Sequence, residues 1–402
     1  MNDSLKSLFE EIDRAGPIEL LCDLVRIPSH RGLERQEEGV ARGLGRYLEA
    51  HGFEVHLEEV VAGRPNLICM LEGGAEGRHL LLCGHTDTVP LNDGDEGVGF
   101  SGLLRDGWVE GRGSVDMKGG LAAMAAAIVA LRRIGALRQG KVTLAAVIDE
   151  EMESLGAEHL VSSGFTADGA IVGEPTENRL CLGHKGLEWL EFQFWGKAAH
   201  GGTPQAGVNA IDGAARFIEL VRTELIPQFA RRADSLLGPP TLNFGTIRGG
   251  DQPSTVAAAC TLTADRRSVP GETFDSMTDE LQVQLARVEA EMPGLRTEVC
   301  RVAGGMATLE HVALKTDAAD PVAVAVSKAR ETLCGSPGEP RDFPAWTDGA
   351  LLTGFGGIPT VILGPGDLQL AHSPREAVEV SQVLEAARLY ALTALDFCHG
   401  DP

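Results

Sequence analysis

Five segments of the chain each place a metal-capable side chain at or just beyond the end of an apolar run. GHTDTVP carries His85 and Asp87, GRGSVDMKGG carries Asp116, VIDEE carries Glu150 and Glu151, VGEP carries Glu174, and LQLAHSPRE carries His372. Singly, each reads as a turn residue or a satisfied structural group. Jointly they constrain the fold, because ligands of open α/β sheets gather at the carboxyl ends of strands and four of the five segments leave a predicted strand. Two histidines with three carboxylates make a borderline-hard N/O donor set, suited to zinc or a neighbouring divalent metal. It lacks the thiolates of a closed structural zinc site, which implies an open, catalytic one.

The chain around these segments predicts an α/β fold. Apolar residues recur at helical spacing from about Pro17 to Gly52, at Leu20, Leu21 and Leu24 and then at Val40, Leu44 and Leu48, and predict two helices. NLICML, HLLLCGH, KVTLAAVID, GAIVGEP and PTVILGPG read as buried strands. The Ala-rich stretch from Leu121 to Leu137, apolar over most of its circumference, reads as a helix packed on a sheet. From Gly186 the pattern becomes strand (GLEWLEFQFWG), helix (Asn209 to Leu225), two strands (TLNFGTIRG, STVAAACTLTADRR), helix (Phe274 to Ala290) and strand (RTEVCRV), a β-α-β-β-α-β unit. PVAVAVSKARETL, PTVILGPG and a helix around Glu385 to Leu395 then restore the earlier character. A length of 402 residues with 43% hydrophobic content exceeds what one core organises. The expected plan is a large domain of residues 1–184 and 306–402, with residues 185–305 inserted as a smaller one.

Charge and cysteine usage narrow the function. With 58 acidic against 35 basic residues and a net charge of −23, and with no Lys/Arg-rich run, the chain offers no groove for nucleic acid. A carboxylate-bearing substrate would need local positive charge from metal ions or a placed arginine. The eight cysteines are scattered without a C-x-x-C pair, and the acidic N-terminus has no apolar core of a signal peptide. No stretch approaches the roughly 18 uncharged apolar residues of a membrane span. Reduced thiols and a cytoplasmic location are expected, without membrane or nucleic-acid partners.

In its H-x-D strand end, later D-M-K-G-G, paired E-E, E-P and C-terminal H, found in that order, the chain resembles the family of acetylornithine deacetylase, succinyl-diaminopimelate desuccinylase, aminoacylase and glutamate carboxypeptidase. The resemblance runs from about residue 20 to 395. It implies a zinc-exopeptidase-like mixed sheet flanked by helices, with an inserted ferredoxin-like dimerisation domain. It also implies two zinc ions per subunit, cobalt or manganese being alternatives: Asp116 bridges them, His85 and Glu174 complete one site, and Glu151 and His372 the other. A cis peptide after Asp116 is implied too. Asp87 would accept the second N–H of His85 and fix its tautomer. Adjacent residues at a strand end point opposite ways, so Glu151 can ligate while Glu150 faces the attacking water as general base.

Beyond the metal ligands, the resemblance implies that His200, in GKAAHGGTPQAG, binds the oxyanion in the active site of the other subunit of a homodimer. Arg267, in TADRRSVPGE, would pair with the substrate carboxylate, with Arg266 beside it as a competitor. Where the family often has N-x-V-P, this chain has STVA, so that Ser254 stands in the place of a carboxylate-holding Asn. Trp346 occupies a loop where smaller residues are common, and either narrows the pocket or fills the core. GRGSVDMKGG is no dinucleotide loop, since Asp116 stands where a glycine is required. The expected activity is hydrolysis of the amide of an N-acyl amino acid. A carboxypeptidase or dipeptidase of the same family is the alternative, and outside hydrolases a non-catalytic metal- or peptide-binding relative.

Overall fold

The computed structural model describes residues 3–92, 98–303 and 309–400. The chain divides into two compact units, Met1–Gly183 with Leu314–Phe343 and Thr347–Pro402, and His184–Ala313 with Pro344–Trp346.

The larger unit contains β1 (Val55–Val61), β2 (Arg64–Glu72), β3 (Ala75–His85), β4 (Leu103–Arg105), β5 (Trp108–Glu110), β6 (Gln139–Val147), β7 (Gly169–Val172) and β8 (Cys181–His184). The smaller carries β9 (Glu188–Trp195), β10 (Thr241–Gly249), β11 (Ala259–Arg267) and β12 (Arg296–Arg301). The chain then returns with β13 (Leu314–Lys315), β14 (Arg341–Asp342), β15 (Thr360–Ile362) and β16 (Ala377–Glu379).

The central sheet of the larger unit is mixed, in the order β1-β2-β6-β3-β7-β15-β8-β13 with β14 beside β8. β6, β3, β7 and β15 run parallel, β2 joins β6 antiparallel, and β1 pairs antiparallel with β2. A parallel centre is covered on both faces, which is why its strands read as unbroken apolar runs. The last seven residues of β3 and all of β7 are buried. Register pairs His85 with Val147 and Cys83 with Val172. The loops that follow β6, β3 and β7 therefore leave the same edge side by side; they carry Asp87, Glu150, Glu151 and Glu174, and His85 ends β3 at that edge.

The Ala-rich stretch forms the helix Gly119–Arg133, buried from Gly119 through Leu131. Small residues let it lie close: a Cβ at Gly120 would stand 2.3 Å from the Gly173 carbonyl oxygen. Together with the turn before it, Ser114–Arg133 is long and apolar enough to cross a membrane, with a mean hydropathy of 1.5, contrary to the expectation that no stretch approaches that limit. Its apolar part is buried within the protein, as the core helix of a folded unit is. A three-stranded ribbon, β16-β5-β4, stands apart from the main sheet.

The smaller unit is a four-stranded antiparallel sheet, β10-β11-β9-β12, carrying the helices Ala210–Leu220 and Phe274–Glu291. Alternate residues of β9 and β11 are buried, so one face meets the helices through Phe192, Phe194, Leu262, Phe217 and Leu281. Thr273 and Ser276 form a reciprocal capping box at the second helix. The helix expected to reach Leu225 stops at Leu220 and widens into a π turn, Val221–Leu225. Pro227, just beyond, has no N–H to continue the ladder.

Candidate metal centre

His85 is the last residue of β3. Its Nε2 lies 2.9 Å from Asp116 Oδ1 and 3.6 Å from Glu174 Oε1. The other oxygen of Asp116, Oδ2, lies 3.3 Å from His372 Nε2, which in turn lies 3.1 Å from Glu151 Oε1. Two groups result, His85 with Asp116 and Glu174, and Asp116 with Glu151 and His372, and within each the ligand-capable atoms all lie within 4.8 Å of one another. Asp116 belongs to both, with one oxygen turned to each. The Asp116–Met117 peptide is cis.

Two elements differ from the sequence reading. Glu150 and Glu151 do not diverge through strand pleating, because β6 ends at Val147. They sit in a turn that opens at Asp149, whose φ is 71°, and the turn directs them apart. Glu150 Oε2 lies 4.0 Å from His85 Nε2, while Glu151 reaches His372. His372 leaves no strand either. It follows the single turn Leu368–Leu370, with a φ of 58°, and its side chain is 47% exposed. The buried His85 group is thus closed and the His372 group is open to solvent.

Asp87 meets the far side of the His85 ring with both its main chain and its carboxylate. The nearest acceptor to His85 Nδ1 is the main-chain carbonyl of Asp87 at 3.0 Å, with the carboxylate Oδ1 at 3.5 Å. With acceptors at that side, the neutral ring carries its proton on Nδ1 and presents the Nε2 lone pair to the site. The Asp87 carboxylate mainly accepts the main-chain N–H of Glu150 at 3.2 Å and of Glu151 at 3.0 Å. It therefore ties the two loops together.

Glu376 was not singled out from the sequence. Its Oε1 accepts the main-chain N–H groups of Gly113, Val115 and Asp116 at 2.8, 3.1 and 3.3 Å, and its Oε2 accepts from Arg112 Nη1 at 2.5 Å. This fully buried carboxylate holds the Asp116 loop from a position four residues past His372. An acidic residue closing the HSPRE segment was the available signal.

The charges are unbalanced. Burial pushes Glu174 and Glu150 well above the usual carboxylate range, with the charge of Asp116 adding to the first and that of Glu174 to the second. Glu151 is raised by burial and by Asp116. Burial opposes charge on His85, yet Asp116 and Asp87 hold its pKa well above the ordinary value. Asp116 and Glu151 raise His372 to about 10. Asp116 shifts downward, its burial outweighed by the two imidazoles. Divalent cations fit this arrangement on geometry as well, since the buried Glu174 Oε1 has no hydrogen-bond partner among the described residues and the donors are nitrogen and oxygen only.

The smaller unit holds the remaining candidates. His200 is exposed, and its Nδ1 accepts the N–H of Gly202 at 3.0 Å, which leaves the neutral ring's proton on Nε2. Ser254 lies beside it, its carbonyl accepting the N–H of Gly201 at 2.7 Å. Arg267 gives two donors, Nε and Nη2, to Asp265 at 2.8 and 3.1 Å. Arg266 is no competitor for substrate. It is fully buried, pairs with Glu272 and Glu280 and lies over the Phe229 ring. Trp346 packs: its Nε1 donates to the Val312 carbonyl, and its ring stands 4.2 Å from that of His311.

The description of peptidase family M20/M25/M40 matches residues 81–396. An acetylornithine deacetylase of Proteus mirabilis (strain HI4320) is 31% identical over 394 residues, 95% of this chain and 96% of its own. The solved structure of aminopeptidase PepT from Bacillus cereus ATCC 10987 superposes with a TM-score of 0.79 at 23% identity, covering 95% of this chain and 98% of that one. An M20 family metallo-carboxypeptidase from Sulfolobus solfataricus gives 0.74 at 19% identity, covering 95% and 99%.

Proposed function

The chain belongs to peptidase family M20/M25/M40, and on that footing we propose that it is a two-zinc amidohydrolase removing the acyl group from an N-acyl amino acid, N-acetylornithine foremost. The observation that carries this reading is Asp116, whose two oxygens face two separate donor groups. His85, Asp116 and Glu174 would hold one zinc and Asp116, Glu151 and His372 the other, with cobalt or manganese suited to the same donors. Relatives named as acetylornithine deacetylases match nearly the whole chain, which supports the substrate choice. All eight cysteines are free, in keeping with a reducing cytoplasm.

When bound, a pair of divalent cations lowers the pKa of water and polarises the scissile carbonyl. Glu150, held at the edge of the buried group, takes a proton from the attacking water. It then gives that proton to the nitrogen that departs as the carbon–nitrogen bond breaks. His200 donates from Nε2 to the oxyanion, acting across a homodimer from a second copy of the chain. Arg267 pairs with the substrate carboxylate and supplies the positive charge that so acidic a protein otherwise lacks. Ser254, next to His200, adds a hydroxyl at that end.

The test is amine release from N-acetylornithine, N-succinyl-diaminopimelate, other acyl amino acids and dipeptides, side by side, by zinc- or cobalt-loaded protein. Turnover of an acyl amino acid is expected, and cleavage of dipeptides alone would move the chain to the peptidases. Mixing His200→Ala with Glu150→Ala chains should restore partial turnover. No recovery after demonstrated subunit exchange would remove His200 from that role.

A further inference from the structure

The turn that presents Glu150 and Glu151 is braced from behind by one end of β2. Arg64, the first residue of β2, directs Nε and Nη2 to the two oxygens of Glu37 at 2.7 and 2.6 Å. The same Nη2 reaches Asp149 Oδ1 at 2.5 Å. All three side chains are withdrawn from solvent, at 13%, 0% and 8% exposure. Asp149 is the residue that turns the chain: its φ of 71° lies in the left-handed region, which a non-glycine residue adopts uncommonly and only where the surroundings impose it. Its main-chain carbonyl accepts the N–H groups of Met152, Glu153 and Ser154, and its second carboxylate oxygen accepts that of Glu153.

Asn66 completes the brace. It lies two residues along β2 and so on the same face as Arg64. Its Oδ1 accepts the N–H of Ile148 at 3.1 Å and its Nδ2 donates to the Gly156 carbonyl at 2.8 Å. These are the two ends of the turn. The fit leaves no slack, since a Cβ at Gly156 would stand 2.3 Å from Ile148 N and 2.5 Å from Asn66 Oδ1.

We propose that Arg64, fixed by Glu37 and seconded by Asn66, is a positioning residue that sets the direction of Glu150 and Glu151 through Asp149. A planar fork suits this part, because it holds two carboxylates at fixed angles where a lysine would offer only a point charge. Without Arg64 the buried Glu37 and Asp149 lose their cation and the turn loses its reason to hold Asp149 left-handed. The inference rests on the reading of Glu151 as a metal ligand and Glu150 as the base.

The experiment compares Arg64→Gln, Arg64→Lys and Asp149→Asn with Arg42→Gln, a control in an exposed pair with Glu38. It measures zinc affinity by chelator competition, steady-state kinetics on N-acetylornithine and thermal midpoint. Arg64→Gln and Asp149→Asn should each weaken zinc binding and lower kcat by about 10–100-fold, the usual scale for a residue behind a ligand, with KM within about threefold. Their double variant should be no worse than the poorer single, as expected for residues acting through one contact. Arg64→Lys should recover part of the loss, and Arg42→Gln should match the parent. Should Arg64→Gln fail to fold, Arg64→Lys and Asp149→Asn carry the same comparison. A lowered thermal midpoint with parental zinc affinity and kcat would overturn the proposal and leave Arg64 a stability element only. If the parent chain turns over no acyl amino acid, the functional reading fails, while the zinc measurements still decide the part played by Arg64.

Discussion

β3 buries two histidines on one face, six residues apart, and the chain treats them in opposite ways. His79 and His85 are 9% and 1% exposed. His79 Nε2 meets the Thr143 hydroxyl at 2.8 Å and its ring rests on Phe165. Burial, helped by Lys141, pushes its pKa down to about 4. His85 ends the same strand among Asp116, Glu174 and Glu150, and its pKa moves upward. Burial alone keeps an imidazole neutral and inert. What separates a candidate ligand from a core histidine is the negative charge brought to it, by Glu150 and Glu174 from loops at the carboxyl ends of β6 and β7 and by Asp116 from the turn before the Ala-rich helix.

The contrast breaks most visibly at His85. His85→Ala should lose bound zinc and turnover to background, whereas His79→Phe should keep both, as read by metal analysis and amine release; equal losses would erase the distinction between the two ends of the strand. Glu150→Gln sharpens it at the charged end: turnover should drop about 10²–10⁴-fold, the scale of a lost general base, with zinc content unchanged. Loss of zinc in that variant would make Glu150 a ligand instead. The smallest effect is on stability and belongs to His79. Its folded pKa of about 4 lies below the ordinary 6.5. Between those values the unfolded chain binds a proton that the folded chain refuses, so stability is full above pH 6.5 and falls as the pH drops towards 4. Thermal midpoints of His79→Phe should decline less steeply across that window, and a slope identical to the parent would take His79 out of the acid response.

Much of the site was legible because its candidates sit where apolar runs stop, and a run that stops on His, Asp or Glu is visible without any partner. The H-x-D spacing separates His85 from His79 in the sequence, since nothing acidic follows the latter closely. The braces were illegible for the opposite reason. Arg64 meets Asp149 across 85 positions and Glu376 meets Gly113 across 263, and no periodicity links such residues. The directions of Glu150 and Glu151 were derived from pleating and arise from a left-handed turn, which a non-glycine residue does not announce. Long elements such as β3, β9 and the helix Phe274–Glu291 follow apolar spacing, whereas β13 and β14, two residues each, exist only through their pairing to the sheet.

The strap from Glu376 to the Asp116 loop also sets an order in time. On the ribosome, residues 113–116 emerge well before the carboxylate that anchors them and before His372, with the whole smaller unit made in between. A nascent chain therefore carries the buried donor group without its clamp and lacks the histidine of the second group. Metal loading is in this sense a checkpoint on completed synthesis, and chains truncated before Glu376 should be metal-poor even where the sheet has formed.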